Sequence, residues 1–534
     1  MWWQHGLVYE AYPRSFQDTD GDGVGDLPGI SSRLDYLQWL GVDAIWVPPF
    51  YRSPMADFGY DVSDHTAVDP IFGTLQDFDD LLAQAHEKGI RLLVDFVPNH
   101  TSDEHPWFEE SRSSRTSPKR DWYLWRDAGP TGEAPNNWIN IFTGESAWTF
   151  DTRTGQYYLH TFSAQQPDLN WRNPLVKQAM FDVARFWLER GVDGFRIDVA
   201  HLIMKDPLMR DNPPNPDPAQ MTRIMGEWGK QLHVNDLAHP DVHGVYREFR
   251  RLLDSYSAGQ PRLSIGELHR DDLEDWASYY GAELDELHMP FNFHLMWGEW
   301  GAREVREVVE SVEAATPDGA WPNWVWGNHD QSRIASRVGP VQSRLAMMLL
   351  LTLRGAPTLY YGDELGMVDV AIPPEKAKDT WEKYMPGRGR DPQRTPMRWD
   401  DTPNAGFCAP GKEPWLPIGH GFEHTSVAAQ ARDPGSMLSL TRALIQARRA
   451  IPALGKGEYV RVKEKVPEDC FVYLRTHEVQ TVVVALNFSS EERCLALPRF
   501  GAAEIRVSTH LDREGPTDLA RLRLRANEGC VILP

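Results

Sequence analysis

The sequence places a carboxylate at the end of several apolar runs. "GFRID" ends in Asp198, "LSIGE" ends in Glu267, and "WVWGNHD" ends in Asp330. Two inward carboxylates in different surroundings suit glycoside hydrolysis, in which one acid protonates the leaving oxygen while the other attacks the anomeric carbon. These three acids are therefore the candidate catalytic residues.

The neighbours of the first two acids predict different roles for them. Arg196 lies two residues before Asp198 on the same strand face, and a guanidinium that close favours the carboxylate, so Asp198 is predicted to be the nucleophile. Glu267 follows an apolar run without an adjacent cation, so we expect burial to raise its pKa and keep it protonated as the general acid/base. Carboxyl groups about 5 to 5.5 Å apart would mean a retaining mechanism, and about 6.5 to 9.5 Å an inverting one.

The elements that must position these acids alternate between strands and helices. Short β-branched or aromatic runs predict strands, and amphipathic stretches of helical period follow them. Asn173 and Pro174, for example, predict the start of a helix that ends at Gly191. Eight strands indicate a closed (β/α)8 TIM barrel, in which catalytic residues lie at the C-terminal strand ends. The eight runs are "GLVYEAYP", "VDAIWVPP", "IRLLVDFVP", "VDGFRID", "RLSIGEL", "LDELHMPF", "WPNWVWG" and "APTLYYG".

Two connections are too long to be simple turns. Residues 101–170 are rich in Trp, Ser and Asn, which predicts a subdomain inserted after the third strand. A Pro- and Gly-rich stretch over about 365–436 predicts a long loop after the eighth strand. Beyond residue 457 the pattern changes to hairpin strands without helices, which indicates a β-sandwich. The expected domains are the barrel (1–100 and 171–456), the inserted subdomain (101–170) and the C-terminal sandwich (457–534).

Composition and charge limit the possible partners. The chain has 534 residues, and 55 Lys and Arg against 77 Asp and Glu give a net charge of −22. This charge disfavours nucleic acid or an anionic membrane as a partner, whereas a neutral ligand is not repelled. The N-terminus has no leader pattern and no segment has the length of a membrane span, so we expect a cytoplasmic monomer or small homo-oligomer with four reduced cysteines.

The run "DTDGDGVGD", from Asp18 to Asp26, begins like the calcium loop of an EF-hand. It does not end like one, because Gly29 occupies the position where a bidentate Glu would close the coordination shell. The residues before it predict a strand and not the entering helix of an EF-hand. Four carboxylates within nine residues would repel each other without a cation.

Five separated motifs resemble those of glycoside hydrolase family 13, the α-amylase family, and within it the α-glucosidase and oligo-1,6-glucosidase group. They are "DFVPNH", "QPDLN", "GFRIDVAH", "GEL" and "GNHD", in the family's order along the chain. The resemblance implies that Asp198 is the nucleophile, Glu267 the acid/base and Asp330 the third acid, which distorts and holds the sugar. It also implies a structural Ca²⁺ or Mg²⁺ held by five residues of the first loop: Asp18, Asp20, Asp22, the Val24 carbonyl and Asp26.

The resemblance implies the substrate-binding residues as well. Asp57 and Tyr60 would surround the terminal glucose, with Tyr60 as a stacking platform. Arg390 would close the pocket together with Asp57, and a closed end means exo-action on short substrates; Arg388 and Arg394 are the alternatives to Arg390. Other residues implied for the same pocket are His100, Arg196 and His329 in the subsite, and Phe162 and Gln166 in the wall.

The expected function is that of a retaining, exo-acting α-glucosidase that releases glucose from short α-glucosides. Val199 is the residue type that accompanies α-1,6 preference in relatives, but the motif around it resembles enzymes for maltose-type α-1,4 bonds, which we therefore favour. The alternatives are an oligo-1,6-glucosidase (isomaltase), a trehalose synthase, and strong transglucosylation. "QSRIASRVG" does not match the loop of sucrose-isomerising relatives. A non-catalytic sugar-binding or transporter-ancillary protein is the alternative of another class, but such chains lack the catalytic acids.

Overall fold

Eight parallel strands close into a barrel in this computed structural model, which describes residues 1–217 and 226–534. Each strand pairs with the next along the chain, and the last pairs with the first, with Val8 opposite Thr358. The predicted (β/α)8 barrel is confirmed. The strands are β1 (Val8–Glu10), β2 (Ala44–Val47), β3 (Arg91–Phe96), β4 (Gly194–Ile197), β5 (Leu263–Gly266), β6 (Met289–Asn292), β7 (Asn323–Val325) and β8 (Ala356–Tyr360).

Side chains alternate between the inside of the barrel and the surrounding helices. Trp46, Leu93 and Ile265 belong to the cluster that fills the barrel, whereas Ile45 and Val94 pack in the cluster outside it. The same alternation directs Arg196 inward, because successive strand residues point to opposite faces. The inward positions at the C-terminal strand ends are the charged ones, so the chemistry lies above an apolar floor.

Helices surround the barrel, and their ends follow the capping signals in the sequence. The helix Pro174–Arg190 begins after Asn173, whose side chain accepts a hydrogen bond from the Leu175 amide, and it ends at Gly191 in the left-handed region (φ 107°). Both ends are the predicted ones. The helix Ile334–Thr352 bends at Gly339, which precedes Pro340. The other longer helices are Leu27–Ser32, Leu34–Leu40, Leu75–Glu87, Val242–Ser255, Leu273–Ser278, Ala302–Ala315 and Met437–Ala450.

The segment between β3 and the helix Pro174–Arg190 carries a small antiparallel sheet of its own, with the strand Gln156–Leu159 between Trp125–Asp127 and Trp148–Asp151. A hairpin of Tyr51–Arg52 and Asp64–Val68 follows β2. Shorter helices in the connections are Trp2–His5, Pro13–Phe16, Pro106–Ser113, Arg120–Trp122, Gly226–Lys230, His294–Trp297, Asp363–Leu365, Pro374–Lys376, Thr380–Tyr384, Asp391–Gln393, Pro403–Gly406, Phe422–Thr425, Val427–Gln430 and Pro452–Lys456.

The structure has a third long connection beyond the two that were predicted. The third runs from the end of β4 to the helix Val242–Ser255 and includes the short helix Gly226–Lys230. It was not predicted because the sequence of this stretch shows no clear helical or strand periodicity. The structure also shifts the sixth predicted strand, since Leu284 lies in a turn (φ 54°) and β6 starts only at Met289.

The C-terminal region is an antiparallel β-domain, as predicted. One face of its main sheet joins the barrel core through Phe471, Tyr473 and Val484, and the opposite face packs against the two-stranded sheet of Arg493–Leu495 and Leu522–Leu524. The main sheet consists of Glu458–Arg461, Cys470–His477, Gln480–Asn487, Gly529–Leu533, Ala502–Ser508 and Gly515–Asp518 in that spatial order, and Leu519–Arg521 is a 3₁₀ turn. In the described part of the chain, no helix has both the length and the apolar character needed to cross a bilayer.

Candidate active site

A cavity of about 650 Å³ opens at the C-terminal ends of the barrel strands. Its position is the one that active sites occupy in this fold. It brings together residues that follow β2, β3, β4, β5, β7 and β8 and are far apart in sequence. Among the predicted site residues, those that line it are Asp57, Tyr60, His100, Phe162, Asp198, Val199, Glu267, Asp330 and Arg390.

Arg196 connects the acids at the floor of this cavity. Its Nη1 lies 2.8 Å from Asp198 Oδ1 and 2.9 Å from Asp95 Oδ1, and its Nη2 lies 2.7 Å from Glu267 Oε2. The guanidinium is 1% exposed, so it supports the two candidate catalytic acids from below and does not line the cavity. The sequence predicted its contact with Asp198 but not the contacts with Asp95 and Glu267.

The expectation that Glu267 has no cation beside it and a raised pKa is wrong, because Arg196 and His269 contact its carboxylate. Burial alone would raise the pKa of Glu267, but Arg196 and His269 outweigh burial and hold it below its ordinary value. Burial raises the pKa of Asp198, and Arg196 only partly opposes this. Since both acids share Arg196, they titrate as a pair and not as two independent groups.

Val199 contacts the same Glu267 oxygen as Arg196. The Val199 amide donates to Glu267 Oε2 at 2.9 Å, and the Val199 backbone lies at φ 35°. A β-branched residue rarely adopts positive φ, and such outliers concentrate at functional sites. The strained turn at Val199 therefore helps to place both catalytic candidates, because it directly follows Asp198 and donates a hydrogen bond to Glu267.

Arginines close one end of the cavity. Arg390 Nη2 lies 2.7 Å from Asp57 Oδ1 and 2.8 Å from Asp379 Oδ1, and its Nη1 lies 3.1 Å from Asp330 Oδ1. Arg394 binds the same Asp330 oxygen at 2.6 Å. Burial would raise the pKa of Asp330, but His329 and these arginines lower it well below its ordinary value. Asp330 is therefore ionised throughout the physiological range.

Like Arg196, two more of the predicted pocket residues, Gln166 and His329, do not line the cavity. Gln166 is fully buried, and its amide contacts Asp57 Oδ2 at 3.1 Å and His100 Nε2 at 3.2 Å. His329 is likewise 0% exposed and contacts the Tyr60 hydroxyl at 2.9 Å. Burial lowers the pKa of His100 to about 4, so this ring is neutral at physiological pH. Gln166 and His329 thus hold the residues that do line the cavity.

Several cavity residues were not predicted. Trp381 lines the cavity with its ring 4.9 Å from the Arg390 guanidinium carbon, while Asp379 binds the same guanidinium without lining the cavity. Trp228 reaches the cavity from the third long connection. His269, which contacts Glu267 Oε1, stacks with Trp297 at a ring-centroid distance of 5.5 Å, and both residues line the cavity. Only His269 carried a local signal, two residues after Glu267 in "GELH"; the others lie in loops without a pattern.

The acidic first loop brings three of its carboxylates together. Asp18, Asp20 and Asp22 each offer an oxygen within 4.8 Å of the others, a donor set that fits a hard cation. Asp26 does not join them, because it caps the helix Leu27–Ser32 and accepts hydrogen bonds from Thr19 and Gly29. The predicted ligand role of Asp26 is therefore not supported by its contacts.

The fold and the paired acids at its mouth define a glycoside hydrolase. Comparison with known proteins agrees, since the family model "Alpha amylase, catalytic domain" matches residues 10–457. The chain belongs to the α-amylase family, glycoside hydrolase family 13, and within it to the α-glucosidase group.

Individual relatives resemble the whole chain. A probable α-glucosidase of Rhizobium meliloti (strain 1021) is 42% identical over 509 residues, which cover 93% of this chain and 91% of the relative. An oligo-1,6-glucosidase of Halalkalibacterium halodurans is 37% identical over 576 residues, covering 100% and 99%. The solved structure of an α-glucosyl transfer enzyme, XgtA, superposes with a TM-score of 0.93 at 40% identity, covering 100% of this chain and 99% of that one.

Proposed function

We propose that this protein is a retaining, exo-acting α-glucosidase that releases glucose from the non-reducing end of short α-glucosides. The observation that carries this proposal is the contact between Arg390 and Asp57, which closes one end of the cavity beside Asp330. A chain of sugars cannot pass through a closed end, so only its terminal residue can occupy the space above Asp198. The neutral sugar also suits a chain of strong negative charge.

The bridging guanidinium favours a retaining mechanism. Arg196 binds Asp198 and Glu267 through its two terminal nitrogens, and one planar group that spans both acids favours the shorter separation of a retaining pair, about 5 to 5.5 Å. Asp198 attacks the anomeric carbon while Glu267 donates a proton to the glycosidic oxygen, which leaves with the aglycone. Glu267 then removes a proton from water, which attacks the anomeric carbon and releases Asp198.

The contacts of the two acids oppose the proton distribution that the first step needs. Arg196 and His269 stabilise the Glu267 carboxylate, whereas burial favours protonated Asp198. A bound sugar brings its glycosidic oxygen, an acceptor, to Glu267 and leaves Asp198 facing an electron-poor carbon. Substrate binding thereby favours the opposite distribution, with the proton on Glu267 and the charge on Asp198.

We favour maltose-type α-1,4 linkages, with oligo-1,6-glucosidase as the second candidate. Val199 lies in the cavity wall beside Asp198 and packs with Ile141, Leu202 and Trp228. A change of one methylene at such a contact alters discrimination by about 1 to 3 kcal/mol. Transfer of glucose to a second sugar is supported by the stacked His269 and Trp297 rings in the cavity wall and by the relative named as a glucosyl transfer enzyme.

We also propose that Asp18, Asp20 and Asp22, with the Val24 carbonyl, hold a structural Ca²⁺ or Mg²⁺. When bound, the ion would neutralise the three carboxylates and stiffen the loop. It would take no part in glycosidic chemistry, because the loop does not reach the cavity.

The four free cysteines support a reducing compartment, and we propose the cytoplasm as the place of action.

The test compares wild type with Asp198→Asn on maltose, isomaltose, sucrose and trehalose. The wild type should release glucose fastest from maltose, and Asp198→Asn should lose at least about 10⁴-fold in kcat. Asp35→Asn, which changes an exposed acid on the barrel surface, is the matched control and should keep full activity. Faster hydrolysis of isomaltose would replace the α-1,4 proposal with the α-1,6 one, and no hydrolysis of any α-glucoside would refute both.

A further inference from the structure

Arg14 is a buried cation that the mechanism proposed above does not use. It lies in the short helix Pro13–Phe16 after β1 and is only 5% exposed. Within residues 1–217 and 226–534, no Asp or Glu lies within ion-pair distance of its guanidinium, and Asp69 and Asp61 attract it only from farther away. A buried charge without a paired acid is costly. The contacts that Arg14 makes instead are therefore the reason to ask what it does.

The guanidinium of Arg14 lies among a thioether and three aromatic rings. Its Nη2 donates to Met55 Sδ at 2.9 Å. Its central carbon lies 5.3 Å from the centre of the Phe58 ring, 5.2 Å from that of Phe72 and 5.6 Å from that of Trp415. A cation within about 6 Å of a ring centroid is attracted to the face of the ring, and more strongly where water is excluded. Arg14 thus binds the side chains of the loop after β2 to segments that are distant in sequence.

Two of these partners hold strained backbone positions on either side of Asp57. Met55 lies at φ 66° and Phe58 at φ 49°. Residues with a Cβ seldom adopt positive φ, and such positions persist only where the surrounding structure holds them. Arg14 contacts both side chains, so it is the group that can hold them.

The backbone of the same loop has its own support in Asp61, which is 0% exposed. Asp61 Oδ1 accepts a hydrogen bond from the Asp57 amide at 2.9 Å, and its Oδ2 accepts one from the Ala56 amide at 2.8 Å. These bonds end before Phe58. Asp61 therefore accounts for the course of the chain up to Asp57, but not for the strained conformation of the residue that follows.

The strained loop carries Asp57 to the closed end of the cavity. Asp57 Oδ1 lies 2.7 Å from Arg390 Nη2. The Phe58 ring also lies 5.8 Å from the guanidinium carbon of Arg394, which binds Asp330. A movement of Phe58 would thus reach both acids that close this end.

We propose that Arg14 is a positioning residue that clamps Met55 and Phe58 and thereby holds Asp57 against Arg390 at the closed end of the sugar site. Asp57 and Arg390 line the cavity, whereas Arg14, Met55 and Phe58 do not. Arg14 therefore acts on the sugar through Asp57. The inference rests on the proposed function for its effect on sugar binding, but not for the shape of the loop.

The kinetic test is Arg14→Met, which keeps an unbranched apolar side chain and removes the guanidinium. The loop should then relax, so that Asp57 no longer binds the terminal sugar at a part that does not react. KM for maltose and the inhibition constant of glucose should both rise by at least about tenfold, while kcat stays within about threefold. A merely less stable enzyme would lose active protein and keep its KM. An unchanged KM would overturn the proposal.

Arg398→Met is the matched control. Arg398 is also a buried arginine, 4% exposed, whose Nε lacks a hydrogen-bond partner and which has no ion pair in the described part of the chain. It does not line the cavity, so its variant can lower stability but should leave KM and the inhibition constant unchanged. A rise similar to that in Arg14→Met would show a general effect of buried arginines and count against the proposal.

Phe58→Leu keeps the proposal testable if Arg14→Met does not fold. It removes the aromatic face that attracts Arg14 and leaves Arg14 itself in place. Because the clamp loses one of its two holds on the loop, KM for maltose should rise by at least about threefold with little change in kcat. A KM equal to that of the wild type would refute the clamp.

A crystal structure of Arg14→Met tests the clamp without activity. Phe58 should leave the positive-φ region, and Asp57 Oδ1 should lie beyond hydrogen-bond distance of Arg390 Nη2. An unchanged loop would overturn the inference. A displaced loop in a protein whose wild type hydrolyses no α-glucoside would refute the proposed function and leave the inference standing.

Discussion

At the level of single residues, His269 is the neighbour of the acid/base that can be changed with least disturbance. Its Nε2 lies 3.1 Å from Glu267 Oε1, and its partly exposed ring lines the cavity. His269 lowers the pKa of Glu267, as Arg196 does more strongly, but Arg196 also binds Asp95 and Asp198. His269 thus offers a way to change the proton balance of the pair through one contact.

We predict that His269→Gln moves the alkaline limb of kcat/KM for maltose to higher pH. The variant removes a group that lowers the pKa of Glu267, so the acid/base keeps its proton to higher pH by about one unit. Maltose is the appropriate substrate because its poor leaving group needs the proton. A limb that stays in place or moves to lower pH would contradict this role, and Asp35→Asn provides the unchanged reference profile.

The sequence could predict the three acids of this site, but not that Arg196 binds both Asp198 and Glu267. Asp198, Glu267 and Asp330 lie at strand ends, which a local pattern reveals. The contact of Arg196 with Glu267 depends on the register between β4 and β5, where Ile197 pairs with Gly266. No local signal gives that register. The prediction that Glu267 has no cationic neighbour was wrong, because Arg196 is far from Glu267 along the chain and adjacent to it only across the sheet.

At the level of elements, capping residues set both the helix ends and part of the pH dependence of stability. Asn173 and Gly191 made the helix Pro174–Arg190 predictable. The helix Pro106–Ser113 begins instead with a histidine, because His105 Nδ1 accepts a hydrogen bond from the Trp107 amide at 3.0 Å. Only the neutral ring can accept there. Burial, with a smaller contribution from His65, lowers the pKa of His105 to about 2.

We predict that His105→Asn weakens the acid sensitivity of the fold. Below its ordinary pKa of about 6.5 the unfolded His105 binds a proton that the folded one does not, so the free energy of unfolding falls as pH falls. From pH 7 to 5 this single group contributes a loss of about 2 kcal/mol. Asn keeps a capping oxygen and does not titrate. Between pH 7 and 5 the free energy of unfolding of His105→Asn should therefore fall by about 2 kcal/mol less than that of the wild type.

The measurement is urea denaturation of both proteins at the two pH values. His424→Asn, which changes an exposed histidine of the short helix Phe422–Thr425, is the control and should behave like the wild type. Equal acid sensitivity of wild type and His105→Asn would show that His105 is protonated in the folded protein or buried less completely than its position indicates.

The acidic first loop connects the proposed ion to the site through packing. Gly23 lies so close to the chain at Glu413 that an added Cβ would lie 2.1 Å from the Glu413 carbonyl oxygen, and the Gly23 carbonyl accepts from the Trp415 amide. Trp415 contacts Tyr12, the ring that stacks on His329. A loop loosened by repulsion among Asp18, Asp20 and Asp22 would release this chain of contacts.

We predict that chelation with EDTA lowers the melting temperature and that Ca²⁺ or Mg²⁺ restores it. An ion at 100 times its Kd stabilises the folded state by about 2.7 kcal/mol. Asp22→Asn should melt near the metal-free wild type and respond weakly to added ion, while Asp35→Asn should respond fully. Thermal melting followed by circular dichroism measures this. A melting temperature indifferent to EDTA and to both ions would refute the metal proposal.

At the level of the whole molecule, the barrel and the C-terminal domain share one core. Phe471 and Tyr473 lie in the same buried cluster as Leu345 and Met348 of the helix Ile334–Thr352. Tyr473 bonds the Thr352 hydroxyl, and the buried Arg475 donates to the carbonyls of Thr352 and Gly457. Separating the two domains would expose this apolar surface and leave Arg475 without acceptors, so neither domain gains from unfolding alone.

We predict that the barrel and the C-terminal domain unfold in a single cooperative transition. The unfolding of each domain can be followed by its own signal, because the tryptophans and the buried thiols lie in different domains. All 21 tryptophans lie at or before Trp415, so tryptophan fluorescence reports on the barrel and its insertion alone. Cys470 and Cys530 are buried in the C-terminal domain, and burial raises the pKa of each thiol to about 12, which keeps both unreactive while that domain is folded. In a Cys408→Ser, Cys494→Ser variant, thiol reaction therefore reports on the C-terminal domain. The two signals should change at the same urea concentration, because the shared core couples the domains; thiol exposure at lower urea than the fluorescence change would show that the C-terminal domain unfolds independently.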